Sequence, residues 1–197
     1  MANLREAQKR MTRQLLLDAG VEVMTEKGYG PTTVDQIALA AGATRATFYL
    51  HFTSKAELVR FIVERADELL TSADRPPLPE MVASNDPATI RAFLGLKFDQ
   101  WPEIKPYMMI SLQAAAADPE IQSALDAWHD RAIGAMESGL DAADRFDPAS
   151  RRIRCSIAFG QLIFMSQRWF RLGWTIDREE LLEQMTASWT GLLCEAV

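Results

Sequence analysis

The chain has 197 residues, 48% hydrophobic and 24% charged, a composition typical of folded globular proteins rather than disordered ones. Two cysteines argue against a disulfide-rich secreted domain, and no secretory signal or bilayer-length apolar run is apparent. The net charge of −6 argues against nucleic-acid binding. Residues 1–60, however, carry eight basic and six acidic side chains, so their net charge is +2, whereas that of the remaining residues is −8. We therefore expect a cytoplasmic protein that binds no membrane and whose N-terminal part can attract phosphates locally.

Helical spacing and capping residues recur through the first 70 residues. One face of a first helix, over residues 6–27, carries Leu16, Gly20, Val23 and Met24. Gly28 suits the C-terminal cap of that helix, and Gly42 suits a tight turn between two short helices that follow. Capping-box spacing occurs at Thr33–Gln36, before the second helix, and at Ser54–Glu57, before a long helix ending near residue 70. The third helix is expected over residues 44–51.

Prolines organise the rest of the chain. Three of them, Pro76, Pro77 and Pro79, predict a loop or boundary over residues 71–80, and Pro102 and Pro106 are expected to divide a later helical segment. Three Asp-Pro steps predict helix starts: Asp86-Pro87, Asp118-Pro119 and Asp147-Pro148. Gly173 ends one helix, and Asp177 with Glu180 begins the last. We predict an all-α protein of about nine helices, with a DNA-binding domain over residues 1–53 and a ligand-binding and dimerisation domain over residues 54–197.

The two short helices joined by a glycine turn form a helix-turn-helix pattern, whose second helix is narrow enough for the major groove of DNA. In that helix Phe48 and Phe52, four residues apart, are expected to face inward together with Leu50 or the first helix. Arg45, Thr47 and Tyr49 would then point outward.

Residues 33–38 (TVDQIA) and 41–58 (AGATRATFYLHFTSKAEL) resemble the DNA-binding head of the tetracycline-repressor (TetR) family, and Glu26–Tyr29 resembles the end of that family's first helix. The resemblance covers about residues 9–60, with Ala46 where the family often has Gly. It implies a homodimer, a palindromic double-stranded DNA operator, and a C-terminal domain whose small effector changes the spacing of the two heads. The DNA-binding residues carried over are Thr33, Thr44, Arg45, Thr47, Tyr49, His51 and Lys55.

The roles implied for these residues differ. Thr33 and Thr44 would cap helices, with Thr33 also binding phosphate; Arg45 and Thr47 would contact bases; and Tyr49, His51 and Lys55 would contact phosphates. Alternatives stay open from the sequence: Arg45 as a phosphate or surface residue, Tyr49 as a packing residue and His51 as a partly buried histidine.

The remainder is rich in bulky apolar residues, each of which is a core candidate by itself. As a set they predict a cavity for a small apolar or aromatic effector, bounded by Phe93, Trp101, Tyr107, Trp128 and Phe164. The last two helices, with Ile153, Ile157, Gly160, Gln161 and Phe164 on the first of them, are the expected dimer interface by resemblance to the family.

No catalytic, metal or cofactor motif is found. His129 has no cluster of metal ligands around it, and Cys155 and Cys194 are either inert or a redox switch. The leading prediction is an effector-released repressor and not an enzyme, with an activator of the same family as a variant. The alternative is an all-helical small-molecule-binding protein or enzyme without DNA binding.

Overall fold

The computed structural model describes residues 2–195, and within that range the chain forms nine α-helices and no β-strand. In chain order they are α1 (Ala2–Lys27), α2 (Val34–Ala40), α3 (Arg45–Tyr49), α4 (Lys55–Thr71), α5 (Leu78–Ala83), α6 (Pro87–Ala115), α7 (Pro119–Ala142), α8 (Pro148–Leu172) and α9 (Arg178–Leu193). The all-α class and the number of helices predicted from the sequence are confirmed.

Two compact units make up the chain. The first combines the residues up to Glu68 with Lys105–Asp126, and the second combines Leu69–Ile104 with the residues from Ala127 onward. The first unit therefore holds α1, α2 and α3 together with later segments of the chain. The domain boundary after residue 53 stays a prediction, because compactness alone does not say which part binds DNA.

The first unit buries the apolar face predicted for α1. Leu16, Val23 and Met24 are buried, as are Ile37 of α2 and Leu58 of α4. Gly20 lies on the same face because a Cβ there would stand 2.8 Å from Leu58 Cδ2, closer than a side chain can normally approach. The later segment contributes Ile110, Ala114, Ile121 and Leu125 to the buried residues. Its Gln113 Oε1 accepts a hydrogen bond from the amide of Tyr29 at 3.1 Å.

The second unit is built around large aromatic side chains. Trp101 and Trp189 are almost fully buried, and the rings of Phe98 and Trp101 lie 4.5 Å apart. A buried arginine, Arg145, closes one end by donating to the carbonyls of Val82 and Leu193, the latter at 2.7 Å. Burial of so much aromatic surface is the main stabilising contribution here.

The Asp-Pro helix starts are confirmed at all three places, with proline as the first helical residue each time. Before α6, for example, Asp86 Oδ1 accepts the amide of Ala88 at 3.0 Å and Asp86 Oδ2 that of Thr89 at 3.1 Å. Asp177 caps α9 through the amide of Glu180 at 2.9 Å. Gly173 ends α8 in a left-handed conformation with φ of 68°. Local chemistry is sufficient to locate these ends because each cap involves neighbours in sequence.

The expected loop or boundary over residues 71–80 is non-helical from residue 72 to residue 77, between α4 and α5. Its last residues begin α5, with Pro79 in the first turn, where the missing amide hydrogen costs nothing. The expectation that Pro102 and Pro106 divide a helical segment is wrong. Helix α6 runs without interruption through Pro102 and Pro106. The residues around them, Trp101 and Ile104, are buried, so packing offsets the local cost of about 3 kcal/mol for a proline inside a helix.

Candidate nucleic-acid interface

Short-range capping fixes the geometry of the N-terminal helices. Gly28, with φ of 84°, ends α1, and Gly42, with φ of 65°, makes the turn after α2. Thr33 begins α2 through the predicted capping box, in which Thr33 Oγ1 accepts the Gln36 amide and Gln36 Oε1 accepts the Thr33 amide. Thr44 begins α3 by accepting the Thr47 amide at 3.1 Å. Each turn residue therefore has a defined structural role, and α3 is held at a fixed distance from α2.

Helix α3 buries one side and exposes the other. Phe48 and Phe52 are fully buried, and the Phe52 ring lies 5.7 Å from that of Phe61 on α4. Arg45 and Tyr49 are exposed and Thr47 is partly exposed, as predicted. Leu50, however, is 77% exposed, so of the two partners expected for the phenylalanines it is the first helix that packs against them, with Arg13 of α1 lying 5.0 Å from the centre of the Phe52 ring. Leu50 is the C-terminal cap of α3, and because Phe48 and Phe52 face the core, the Leu50 side chain points to solvent.

Arg45 is paired within the protein before any ligand is present. Its Nη1 lies 2.9 Å from Asp35 Oδ2 on α2, and its guanidinium lies over the Tyr49 ring at 5.6 Å. The carboxylate of Asp35 raises the pKa of Arg45, which stays charged. Both partners are more than half exposed, so the pair contributes little to stability and can be exchanged for another acceptor at small cost. The role of Asp35 was not predicted from the sequence, because the two residues are ten positions apart on different helices.

Lys55 occupies a different place from the one carried over by resemblance. Its Nζ donates to the carbonyls of Tyr29 at 2.6 Å and Thr32 at 2.8 Å, and more weakly to that of Gly30 at 3.4 Å. Burial lowers the pKa of Lys55. The ammonium group therefore holds the turn between α1 and α2, and it is not directed outward to a phosphate in this structure.

His51 lies at the end of α3, partly buried, and its Nδ1 has no hydrogen-bond partner within residues 2–195. Burial, followed by the positive charges of Lys9 and Arg13, lowers the pKa of His51, so the ring is neutral at pH 7. Arg13 packs over Phe61 with 3.8 Å between its Cζ and the ring centroid, and over Phe52 at 5.0 Å. Neither Lys9 nor Arg13 was assigned a contact from the sequence, although their spacing of four residues on α1 puts them on one face.

The capping box predicted at Ser54 is only half formed. Ser54 Oγ accepts the amide of Glu57 at 3.0 Å. The carboxylate of Glu57 reaches the amide and hydroxyl of Thr53 instead of the amide of Ser54. These hydrogen bonds lower the pKa of Glu57.

Comparison with known proteins agrees with this architecture. Residues 16–62 match the family described as bacterial regulatory proteins, tetR family. These residues therefore carry the DNA-binding domain that characterises the tetR family.

Individual TetR-family relatives match different lengths of the chain. The uncharacterized HTH-type transcriptional regulator TtgW of Pseudomonas putida is 40% identical over 63 residues, which is 32% of this chain and 47% of that protein. The probable acrEF/envCD operon repressor of Escherichia coli is 28% identical over 125 residues, 64% of this chain and 50% of that one. The matches thus span about half the length of these two relatives.

The likeness in structure covers nearly the whole chain. NalD of Pseudomonas aeruginosa, the secondary repressor of the MexAB-OprM multidrug efflux pump, superposes with a TM-score of 0.65 at 25% identity. The match covers 91% of this chain and 96% of NalD. The TetR-family fold therefore extends through α9, although recognisable sequence similarity is concentrated in the head.

The five residues predicted to line an effector cavity differ in burial and in the compact unit to which they belong. Phe93, Trp101 and Trp128 are buried in the second unit, whereas Tyr107 belongs to the first and is only partly buried. Phe164 is 63% exposed on α8 and so lines no cavity enclosed by this chain. The prediction for Phe164 is wrong because an apolar residue has the same sequence signal whether it packs inside one chain or against a second.

Two clefts in the second unit each include one of the five. Phe93 lines a cleft of about 330 Å³ together with Arg75, Pro76 and Thr89, a volume in the range of small-molecule sites. Trp101 lines a recess of about 10 Å³ with Trp169 and Trp174, enough for one water molecule. Of these two, only the Phe93 cleft has the size of a ligand site in this conformation.

Helix α8 exposes apolar residues along one side. Ile153, Ile157 and Phe164 are each about half exposed or more, and Gly160 between them has nothing within 4 Å of where a Cβ would stand. On the adjoining side Gln161 and Ser188 exchange hydrogen bonds of 2.9 and 3.1 Å between α8 and α9. The two helices thus support each other, and the apolar row stays uncovered within the chain.

Neither cysteine is activated as a thiolate. Burial raises the pKa of the Cys155 thiol to about 11, and burial also raises that of Cys194, so both are protonated and unreactive at neutral pH. Within residues 2–195 no group of His, Cys, Asp or Glu side chains is arranged to hold a metal ion. No helix in this range has the combined length and apolar character needed to cross a bilayer.

Proposed function

We propose that this TetR-family regulator is a homodimeric, cytoplasmic transcriptional repressor that binds a palindromic operator and is released from it by a small-molecule effector. The observation that carries the proposal is the outward face of α3, where Arg45, Thr47 and Tyr49 project from a helix anchored by Phe48 and Phe52. A short, rigid helix with polar side chains at its N-terminal end is what the major groove admits.

In the proposed complex Arg45 reads a guanine and Thr47 contacts a neighbouring base. The guanidinium is pre-positioned by Asp35 and Tyr49, and bidentate pairing of arginine with guanine is the commonest specific contact in the major groove. Thr33, Tyr49 and His51 contact phosphates, which fixes the register of the head, and Thr44 caps α3. We assign Lys55 to the support of this surface rather than to a phosphate.

The dimer is proposed to form through α8 and α9. The exposed row of Ile153, Ile157 and Phe164 with an open Gly160 fits a face that packs against its own copy. A two-fold dimer presents two identical heads, so its operator is palindromic with half-sites spaced by the helical repeat of DNA.

Repression is supported by the names of two similar proteins, the probable acrEF/envCD operon repressor and NalD. For release, the effector must bind more tightly to the conformation whose heads are wrongly spaced, because a ligand shifts an equilibrium only by its differential affinity. We place a small apolar or amphipathic effector in the cleft beside Phe93, where aromatic and polar side chains converge.

The proposal is tested by measuring binding of the full chain to an operator enriched from a random duplex pool. Arg45→Ala should lose about 1–3 kcal/mol of binding free energy on the enriched operator and little on random DNA. Arg65→Ala, which removes the same charge from an exposed ion pair on α4, is the control and should change neither. Equal losses on both duplexes for Arg45→Ala would make it a phosphate contact, and no salt-dependent binding by the unaltered chain would favour a small-molecule-binding protein without DNA binding.

A further inference from the structure

The N-terminal half of α1 carries a basic row on the same face that is buried farther along the helix. Leu16, Gly20 and Val23 are buried on this face, and about one, two and three turns before Leu16 the same face carries Arg13, Lys9 and Arg5. An amphipathic helix normally keeps its apolar face as long as protein packs against it. The change from apolar to basic therefore marks the point where the helix extends past the packed core of the head.

The basic row begins beside the end of α3, the helix proposed to enter the major groove. Arg13 lies against Phe52 and Phe61, with its Cζ 5.0 and 3.8 Å from the two ring centroids, which fixes it beside the His51–Phe52 end of α3. Lys9 and Arg13 are both close enough to His51 for their positive charges to lower the pKa of its ring. The positive charges thus lie next to a residue that the proposed function places on the DNA backbone.

The outer part of the row, Arg5 and Lys9, makes no ion pair with the part of the chain that the structure describes. Among residues 2–195 no carboxylate lies within ion-pairing distance of Arg5 or Lys9, and both are exposed. Glu6 follows Arg5 in sequence, but one residue turns the helix by about 100°, so its side chain leaves from a different side. Glu57, whose pKa Arg13 helps to lower, accepts hydrogen bonds from Thr53 and forms no ion pair with Arg5 or Lys9. An unpaired row of like charges is stabilised by an anion from outside the chain.

We propose that Lys9 and Arg5 contact the phosphodiester backbone of double-stranded DNA beside the half-site, and so extend the footprint of each head beyond the helix-turn-helix. From residue 5 to residue 13 the helix rises about 12 Å, which corresponds to about three to four phosphates along one strand. Arg13 anchors the row, and the two exposed cations reach the backbone. The inference rests on the proposed DNA-binding function and adds two residues to it.

The test compares Lys9→Gln and Arg5→Gln with Arg10→Gln in the full chain. Arg10 lies on the same turn as Lys9 and carries the same charge, but it leaves the helix about 100° away, so it is a matched control for general charge loss. Binding to a generic 30-base-pair duplex is measured by fluorescence anisotropy over a range of salt concentrations. Removal of one phosphate contact should lower the slope of log K against log salt by about 0.9 per engaged head, with Arg10→Gln leaving the slope unchanged.

Lys9→Arg should restore the slope, and the urea midpoints of all the variants should match that of the unaltered chain, since the residues are exposed. If Lys9→Gln and Arg10→Gln give the same slope, the row does not contact DNA and the inference is wrong, while the proposed function stands. If the unaltered chain shows no salt-dependent binding to the duplex, the proposed function fails and the inference fails with it.

Discussion

At position 55 a single ammonium group satisfies three backbone carbonyls of the turn that precedes α2. A partly buried lysine that donates three hydrogen bonds to the backbone stabilises that turn, although burial lowers its pKa. Its long, flexible side chain could equally have reached outward, which is why the sequence did not distinguish a turn-holding lysine from a phosphate-binding one.

Lys55→Met should therefore reduce the free energy of unfolding by about 1.5–3 kcal/mol, because the three carbonyls would be left without a charged donor. Lys27→Met is the control: Lys27 is exposed at the end of α1, and its replacement should change stability by less than about 0.5 kcal/mol. Urea denaturation measures both. A stable Lys55→Met protein whose salt slope on DNA falls by about one unit would instead support the phosphate contact.

The depressed pKa of His51 gives the head a defined pH response. Burial and the charges of Lys9 and Arg13 lower the pKa of His51 in the folded state. At pH values between this folded pKa and the ordinary pKa of about 6.5, the unfolded chain therefore binds a proton at His51 more readily than the folded chain does. Stability should therefore fall as the pH drops below about 6.5, and the decline should level off below the folded pKa.

Urea denaturation at several pH values between 7.5 and 5 should show this decline in the unaltered chain and a smaller one in His51→Gln. The variant retains His129, so the difference between the two proteins isolates the contribution of His51. Parallel pH profiles for both would mean that His51 is as easily protonated in the folded chain as in the unfolded one.

Among the helices, the close approach of α7 to α5 depends on one glycine. A Cβ at Gly139 would stand 2.4 Å from the Pro79 carbonyl oxygen and 2.9 Å from Val82 Cβ, and backbone cannot yield as a flexible side chain can. Gly134 lies on the same helix, and a Cβ there would have nothing within 4 Å.

Gly139→Ala should therefore lower the free energy of unfolding by about 1–3 kcal/mol through overpacking. Gly134→Ala should leave stability unchanged or raise it by up to about 1 kcal/mol, since alanine favours a helix more than glycine does. Chemical denaturation followed by circular dichroism compares them. Similar effects in both variants would show that α7 can move away from α5 without cost.

The helix ends were the best predicted part of the fold, because the capping partners of Thr33, Thr44 and Asp177 lie within three residues of them. The continuity of α6 through Pro102 was not predictable from the same rules, since it depends on burial of side chains that meet residues distant in sequence. The outward face of α3 followed from the spacing of Phe48 and Phe52. The pairing of Arg45 with Asp35 joins two helices and needed the structure.

At the level of the whole molecule, the exposed apolar row of α8 is the feature that the single chain leaves uncovered. Gly160→Arg should separate the proposed dimer into monomers, because each copy contributes the substituted residue to the same two-fold interface. Sedimentation velocity measures the change, with Ala127→Arg, at an exposed position of α7, as the control that should stay dimeric. A Gly160→Arg protein of unchanged sedimentation coefficient would place the interface elsewhere.

The hydrogen bond from the Tyr29 amide to Gln113 has a consequence for protein engineering. The recognition helices share their compact unit with Lys105–Asp126, whose Ile110, Ile121 and Leu125 are buried there. A head cut from the chain after residue 53 or 68 would leave that amide without its acceptor and would expose apolar surface to water. The head should therefore not fold as an isolated domain. A fusion of this head to another regulator must also contain the end of α6 and the beginning of α7, or supply equivalent side chains.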